Sequence, residues 1–233
     1  MFYREAGDFS TTYREDSQTF PIKFDRYRYY AVLLIAFAII PFLLNDYWVN
    51  AIFLPFLIYS IAAIGLNILT GYCGQVSLGT GGFMAVGAYA TYKLMTAFPE
   101  VSMVVHILLA GGITAFVGVL FGLPSLRIKG FYLAVATLAA QFFLVWLFNR
   151  VPWFYNYSAS GQINSPERTL FGIPITGANT EPWAVYLFCL VFVTLSAIIA
   201  RNLTRGAMGR KWMAIRDMDL SLIHISEPTR PTD

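Results

Sequence analysis

Six apolar stretches run through the chain, and they constrain its fold more than any other feature. Most of them approach the roughly 20 residues that an α-helix needs to cross ~30 Å of hydrocarbon. Backbone polar groups in lipid must find their partners within a helix or a closed barrel. The pattern therefore predicts an all-α, polytopic membrane helix bundle with about six transmembrane helices. The stretches cover residues 31–44, 49–70, 75–97, 101–123, 131–148 and 183–200.

The balance of apolar and charged residues excludes most soluble classes. Hydrophobic residues make up 57% of the chain and charged residues only 12%, against roughly 25% charge in an ordinary soluble domain. The net charge of +3 does not indicate nucleic-acid binding, because the basic residues are spread among the apolar stretches. We expect membrane lipid, and no nucleic acid, among the partners.

Basic residues near the membrane predict the orientation of the bundle. Short loops rich in Lys and Arg stay on the cytoplasmic side, and an arrangement with the N-terminus inside leaves only Lys93, Arg150 and Arg168 outside. This arrangement predicts that the N and C termini are both cytoplasmic. The basic residues that it places inside are Lys23, Arg26, Arg28, Arg127, Lys129, Arg201, Arg205, Arg210, Lys211 and Arg216.

The sequence divides the chain into three parts. Residues 1–30 mix charges of both signs and lack the apolar core of a signal peptide, which predicts a cytoplasmic N-terminal extension. Residues 31–219 form the predicted transmembrane domain. Residues 220–233 read LSLIHISEPTRPTD, where two prolines interrupt a helical pattern. This tail looks like translated sequencing adapter and is predicted to be non-native; a genuine disordered cytoplasmic tail is the alternative.

Catalytic and metal-binding patterns are absent from the sequence. There is no GxxxxGK[ST], HExxH or GxSxG motif, and the predicted spans contain no carboxylate pair. Cys73 and Cys189 lie in different apolar regions without metal-ligand spacing, which indicates buried apolar side chains. We therefore predict a non-catalytic protein with no cofactor and no metal site.

A run of glycine and small polar residues over 71–90 has two interpretations. Ser77, Gly81 and Ala85 recur every four residues, as in a seam that packs two helices closely. Alternatively, a broken or re-entrant helix end over residues 71–80 directs polar side chains at a solute. Asn67 and Gln141 are the other clear amides at depth, for which interhelical hydrogen bonding and pathway lining both remain open.

The segment after the last span predicts a short amphipathic helix. Met208, Trp212 and Ile215 fall on one helical stripe, and basic residues flank it. Such a helix either lies on anionic lipid or docks into a groove on a cytoplasmic partner.

Three motifs in order resemble one family, the permease subunits of branched-chain amino-acid importers of the ATP-binding-cassette (ABC) class. The glycine-rich motif GYCGQVSLG begins at Gly71 and is continued by GAY at residues 87–89. The motif LRIKGFYLAVATL over 126–138 is similar to the loop and helix that follow in that family, and GRKWMAIRD over 209–217 is similar to the start of its coupling helix. The resemblance covers most of residues 31–219. Within it, residues 206–219 correspond to the start of the coupling helix.

This resemblance implies an importer that moves branched-chain amino acids, or related amides or urea, across the bacterial cell inner (cytoplasmic) membrane by alternating access. Its partners would be a second permease subunit, cytoplasmic ATPase subunits that hydrolyse ATP, and an external solute-binding protein. Two departures stand out: Thr80 replaces the His that the family often has, and the chain stops before the coupling helix and further spans are complete. We expect a C-terminally truncated permease that is inactive alone.

The resemblance and the residue patterns together assign candidate roles. The predicted translocation path contains Asn67, Gly71, Gln75, Ser77, Gly79, Thr80 and Gln141. The predicted helix-packing residues are Gly81, Ala85 and Gly87. The predicted ATPase-coupling residues are Met208, Gly209, Arg210, Trp212, Ala214, Ile215, Arg216 and Asp217.

A self-powered secondary transporter or channel for a small polar solute is the alternative function. It would use the glycine-rich break near Gly71 as its solute site. The middles of the predicted spans lack Asp, Glu, Lys and Arg, which disfavours proton coupling. Sodium coupling stays open, because unwound backbone carbonyls hold Na⁺ without an acidic side chain.

Overall fold

The computed structural model describes residues 23–43, 45–125, 131–158, 160, 163–170, 172–177, 180–214 and 216. Helices dominate this part of the chain, so the predicted helical membrane bundle is confirmed. Residues 1–22 and the predicted non-native tail lie outside the described residues.

The first two helices each contain wide turns of π-helix. Helix α1 is continuous from Lys23–Leu34 through the π-turn Ile35–Ile39 to Ile40–Leu43. Helix α2 follows at once. It joins Asp46–Trp48, the π-turn Val49–Phe53, Leu54–Asn67 and a final π-turn, Ile68–Tyr72.

The remaining elements are four long helices, one hairpin and one short helix. The long helices are α3 (Thr80–Ala97), α4 (Met103–Ser125), α5 (Phe131–Arg150) and α6 (Pro182–Arg205). An antiparallel hairpin, β1 (Arg168–Leu170) with β2 (Ile173–Thr176), lies between α5 and α6. Helix α7 covers residues 207–214.

Five of the long helices are long and apolar enough to cross a membrane; α3 is the exception. Helix α3 carries glycines, threonines and Lys93. It packs against both α4 and α5. Several helix boundaries differ from the sequence prediction, and two of these differences are at the starts of helices. Helix α3 begins at Thr80, whereas the predicted third span began at residue 75, and α1 begins at Lys23, ahead of residue 31. The count of six crossings and the orientation stay predictions.

The long helices form two groups of three. In the first group α1, α2 and α6 surround a buried cluster that includes Val49, Leu57 and Tyr186. The Tyr186 hydroxyl donates to the Ala36 carbonyl at 3.2 Å. In the second group α3, α4 and α5 enclose a cluster around Val86, Leu144 and Phe148. Segment 73–79 connects the two groups.

The bundle has two ends, which we name by their residues. The break end contains segment 73–79 and residues 205–216, because the Arg216 guanidinium donates to the Gly71 carbonyl at 2.6 Å. The hairpin end contains residues 98–102, turn 151–158 and the β-hairpin, because the Arg168 guanidinium donates to the carbonyls of Met95 and Pro99. These two contacts agree with chain crossings that alternate in direction.

Candidate translocation site at the break between α2 and α3

Helix α2 ends in a widened turn. The Cys73 N–H donates to the Ile68 carbonyl at 3.2 Å, and the Gln75 N–H donates to the Leu69 carbonyl at 3.1 Å. Gly74 has a φ of 68°, in the left-handed region that glycine adopts without a Cβ penalty. The wide turn and the glycine together end the helix and begin the non-helical segment 74–79.

Segment 74–79 is attached to α5 at one residue, Thr137. The Leu78 N–H donates to the Thr137 hydroxyl at 2.9 Å, and that hydroxyl donates to the Ala134 carbonyl at 2.9 Å. A Cβ atom placed on Gly79 would lie 2.8 Å from the Thr137 carbonyl oxygen. Glycine at position 79 is therefore required by the close approach of the two backbones.

A cavity of about 260 Å³ lies beside this segment. Gln75 and Ser77 line it together with Thr137, so an amide and two hydroxyls face the same space. Leu69, Phe83 and Leu133 are among the apolar residues that complete the lining. None of the described residues that line it is charged, so this lining offers hydrogen bonds and hydrocarbon contact to a small solute.

The structure brings together only part of the predicted path. Gln75 and Ser77 line the cavity, Gly79 is not among its lining residues, and Thr80 begins α3. Asn67 is exposed, and its Oδ1 atom lies 3.0 Å from where a Gly71 Cβ would be, on the same helix. Both residues belong to α2, with Gly71 in its last turn, and neither is among the residues that line the cavity.

Gln141 packs against the small-residue face of α3. Its Oε1 atom lies 3.3 Å from where a Gly81 Cβ would be, and its Cα atom lies 3.0 Å from the corresponding position at Gly82. Gln141 is not among the residues that line the cavity. This contact favours the interhelical interpretation of the amide over pathway lining.

The helix-packing residues face two different neighbours. Gly81 approaches α5, and the Thr114 hydroxyl on α4 lies 3.3 Å from where a Gly87 Cβ would be. Ala85 packs beside the cluster around Val86. Ser77 precedes the helix, so the small-residue seam begins at Gly81, and Ser77 belongs to the break.

The coupling segment forms helix α7 directly after α6. Met208 is 50% exposed, Arg210 and Ala214 are exposed, and Trp212 is half-buried. Gly209 is buried, and a Cβ there would overlap the carbonyl group of Thr204. The side chain of Ile215 and all of Asp217 lie outside the described residues.

Arg216 connects the coupling segment with the break. Its guanidinium donates to the Gly71 carbonyl at 2.6 Å, at a helix end where unpaired carbonyls and the helix dipole favour a cation. Its Cγ atom lies 2.7 Å from where a Gly74 Cβ would be. The sequence prediction gave Arg216 a role towards a partner, whereas this contact is within the chain.

Thr137 and Gly82 are the site residues that sequence reasoning missed. Thr137 lies four residues before Gln141, so the two polar side chains share one face of α5. That spacing was the available signal. Within the described part of the chain, no group of three or more His, Cys, Asp or Glu side chains is placed to hold a metal ion.

Cys73 provides a natural reporter next to the break. Its side chain is half-buried, and burial raises the pKa of the Cys73 thiol above its ordinary value. A higher thiol pKa leaves less thiolate near neutral pH, so reaction with a maleimide is slow there and speeds up as the pH rises.

Comparison with known proteins places the chain in a family. A family model described as branched-chain amino acid transport system / permease component matches residues 49–219. The high-affinity branched-chain amino acid transport system permease protein LivM of Salmonella typhimurium is 32% identical over 195 residues, covering 75% of this chain and 45% of that protein. LivM of Escherichia coli K12 is 31% identical over 185 residues, covering 71% of this chain and 43% of that protein.

The chain thus spans less than half the length of these curated relatives. No solved structure matches it. The family match extends over most of the chain, and the helices have the length and composition of membrane spans. This multi-pass membrane protein therefore belongs to the family of permease components of branched-chain amino acid transport systems.

Proposed function

We propose that the chain is the membrane-spanning part of an ABC importer permease that moves branched-chain amino acids, or related amides or urea, across the bacterial cytoplasmic membrane. The observation that carries this proposal is the family match over residues 49–219. The subunit would work with a second permease subunit, cytoplasmic ATPase subunits and an external solute-binding protein. The part of the permease described above would be inactive without the rest of the assembly.

The cavity at the break suits the chemistry of such solutes. Gln75 and Ser77 can hydrogen-bond the polar atoms of an amino acid, and Leu69 with Phe83 can contact its branched hydrocarbon. The lining holds no opposite charge that would trap a zwitterion. Weak binding of this kind suits a pathway, because the solute must leave as well as enter.

Helix α7 supplies a route from ATP hydrolysis to this cavity. We infer that Met208 and Trp212 dock into a groove on the ATPase, while Arg216 holds the end of α2 through the Gly71 carbonyl. Closure of the ATPase pair would move α7. Through the Arg216 contact with the Gly71 carbonyl, this movement would shift the Gly71–Gly74 turn. Access would alternate because the two positions of α7 make different contacts with segment 74–79.

Docking of α7 is tested by co-purification with the ATPase subunits of the same transport system. Trp212→Ala should reduce their recovery about tenfold, a loss of ~1.4 kcal/mol, because a half-buried indole would lose its groove. Trp146→Ala is the matched control, since Trp146 is 58% exposed on α5 and far from α7 in the chain. Equal recovery with both variants would contradict the docking role.

The link through Arg216 is tested by maleimide labelling of Cys73 in a Cys189→Ala background. Adding ATP to the assembled complex should change the Cys73 labelling rate, and Arg216→Gln should abolish that change. Lys211→Gln should preserve it, because it removes a charge from the same exposed stretch of α7 without altering the Arg216 contact with the Gly71 carbonyl. A Cys73 labelling rate that does not change when ATP is added would refute the link through Arg216. Uptake by proteoliposomes without any ATPase would instead support a self-powered carrier.

A further inference from the structure

A second, larger cavity lies at the hairpin end of the bundle. Its volume is about 710 Å³, and it is enclosed by α3, α4 and α5 with turn 151–158 across its mouth. The interior is hydrocarbon, contributed by Val86, Ile113, Val117 and Leu144 among others. This space is separate from the cavity at the break, with which it shares no lining residue.

Stacked aromatic rings form one wall of this cavity. Tyr89 stacks on Phe148 with 4.4 Å between ring centroids, and Phe154 meets Phe148 edge to face at 4.8 Å. Trp153 continues the series at 5.0 Å from Phe154. Aromatic contacts of this kind hold a wall in a fixed shape, so the cavity persists as a built feature.

Lys93 is the one cation among the lining residues that the structure describes. Its ammonium group lies 4.3 Å from the centroid of the Trp153 ring and donates to the Asn156 side-chain oxygen. Both of these contacts are with neutral groups, so neither cancels the charge. The amide nitrogen of Asn156 in turn donates to the Tyr92 hydroxyl at 2.8 Å.

The turn that positions these groups is strained. Asn156 and Tyr157 have φ values of 50° and 56°, in the left-handed region that residues other than glycine adopt uncommonly. The hydrogen bonds of Asn156 to Lys93 and Tyr92 help to offset this strain. The turn is thereby fixed with Trp153 over the cation.

We propose that this cavity binds an anionic phospholipid, with the phosphate at Lys93 and an acyl chain in the hydrocarbon interior. A single cation beside an apolar space matches an amphiphile with a negative head. A zwitterionic amino acid fits less well, because the described lining contains no Asp or Glu to receive its ammonium group. Tyr and Trp residues around the mouth are those favoured where a protein meets lipid headgroups. The proposal requires that the chain inserts into a membrane. Its test does not depend on the proposed transport function.

The experiment is native mass spectrometry of the detergent-purified chain titrated with phosphatidylglycerol or with phosphatidylcholine carrying the same acyl chains. We expect phosphatidylglycerol to bind about fivefold more tightly, from the ~1 kcal/mol that one basic residue near a lipid surface contributes. Lys93→Gln should remove this preference, and Lys93→Arg should retain it. Arg150→Gln is the matched control, because Arg150 ends α5 near the same membrane boundary without lining the cavity.

Equal binding of the two lipids, or an unchanged preference in Lys93→Gln, would overturn the proposal. Displacement of bound phosphatidylglycerol by leucine would also overturn it and would identify the cavity as a solute site. If Lys93→Gln does not fold, the unaltered chain still decides. Its preference for phosphatidylglycerol must fall as ionic strength rises, because the contact between ammonium and phosphate is screened.

Discussion

The two ends of the bundle are held together in different ways. At the break end, segment 74–79 meets α5 through one backbone donor, the Leu78 N–H, and one close approach, at Gly79. At the hairpin end, rings stack on rings, and Arg168 donates to the Met95 carbonyl near the end of α3 and to the Pro99 carbonyl in the α3–α4 connection. The first arrangement uses few contacts and glycine, and the second uses many contacts between large side chains.

This difference indicates which end can change shape at low free-energy cost. Segment 74–79 can shift by exchanging a few hydrogen bonds, and Gly74 already occupies a conformation that few other residues tolerate. The aromatic wall can shift only by separating packed rings, which cost about 0.5–1.5 kcal/mol per pair beyond their buried area. We expect movement at the break end about a fixed hairpin end.

The largest effect on stability should come from Gly209→Ala at the break end. A Cβ there would overlap the Thr204 carbonyl, so α7 must move away from the end of α6. Overpacking against backbone typically costs 1–3 kcal/mol, and we expect about 3 kcal/mol in unfolding by mixed detergent and SDS. Gly111→Ala is the control, because nothing lies within 4 Å of a Cβ at that position. Equal stability of the two variants would show that α7 is not seated on α6.

Gly79→Ala should have the next largest effect, and Gly81→Ala should have almost none. The first substitution forces a Cβ to within 2.8 Å of a backbone oxygen, whereas the second meets the flexible Gln141 side chain at 3.3 Å. We expect a loss of about 2 kcal/mol for the first and a change within about 0.5 kcal/mol for the second. The reverse order would place the α3–α5 contact at Gly81 instead of at the break.

Arg168→Gln and Arg216→Gln compare the two ends directly. Arg168 bonds two carbonyls at the rigid end, so its loss should lower global stability by about 1–2 kcal/mol. Arg216 bonds the movable end, so its loss should speed Cys73 labelling while the global transition shifts by less than about 0.5 kcal/mol. Both variants are compared by SDS unfolding and by maleimide kinetics. A larger global loss for Arg216→Gln would contradict the assignment of the flexible end.

The sequence predicted the bundle and located the break, because apolar length and glycine content are properties of single segments. Gln75 and Ser77, which the sequence predicted for the translocation path, line a cavity in the structure; their role in a path stays a prediction. The sequence did not predict that α3 begins at Thr80, because Ser77, Gly81 and Ala85 have helical spacing whether or not the helix includes them all. The wide turn, in which the Cys73 N–H donates to the Ile68 carbonyl at 3.2 Å, has no recognisable sequence pattern.

Contacts between distant segments were beyond the reach of sequence patterns. Arg216 and Gly71 are 145 positions apart, and the basic flank of α7 alone indicated an external partner or lipid. The cavity beside Lys93 depends on a turn in which Asn156 and Tyr157 take left-handed conformations, which neither residue type requires. Thr137 was passed over because a threonine in an apolar helix usually bonds its own backbone, as this one also does with Ala134.

The last prediction concerns Thr137, whose side chain bonds segment 74–79 to α5. Thr137→Val keeps the shape but leaves the Leu78 N–H without its acceptor at 2.9 Å, which should cost about 1 kcal/mol. Leu78 is exposed, so water can replace part of the bond, and the global loss should be smaller still. The local consequence should be clearer: amide hydrogen exchange at Leu78 should speed up in Thr137→Val and stay near the original rate in Thr137→Ser. Unchanged exchange in both variants would mean that the hydrogen bond between Leu78 and Thr137 does not fix segment 74–79 against α5. The close approach at Gly79 would then be the contact that positions this segment.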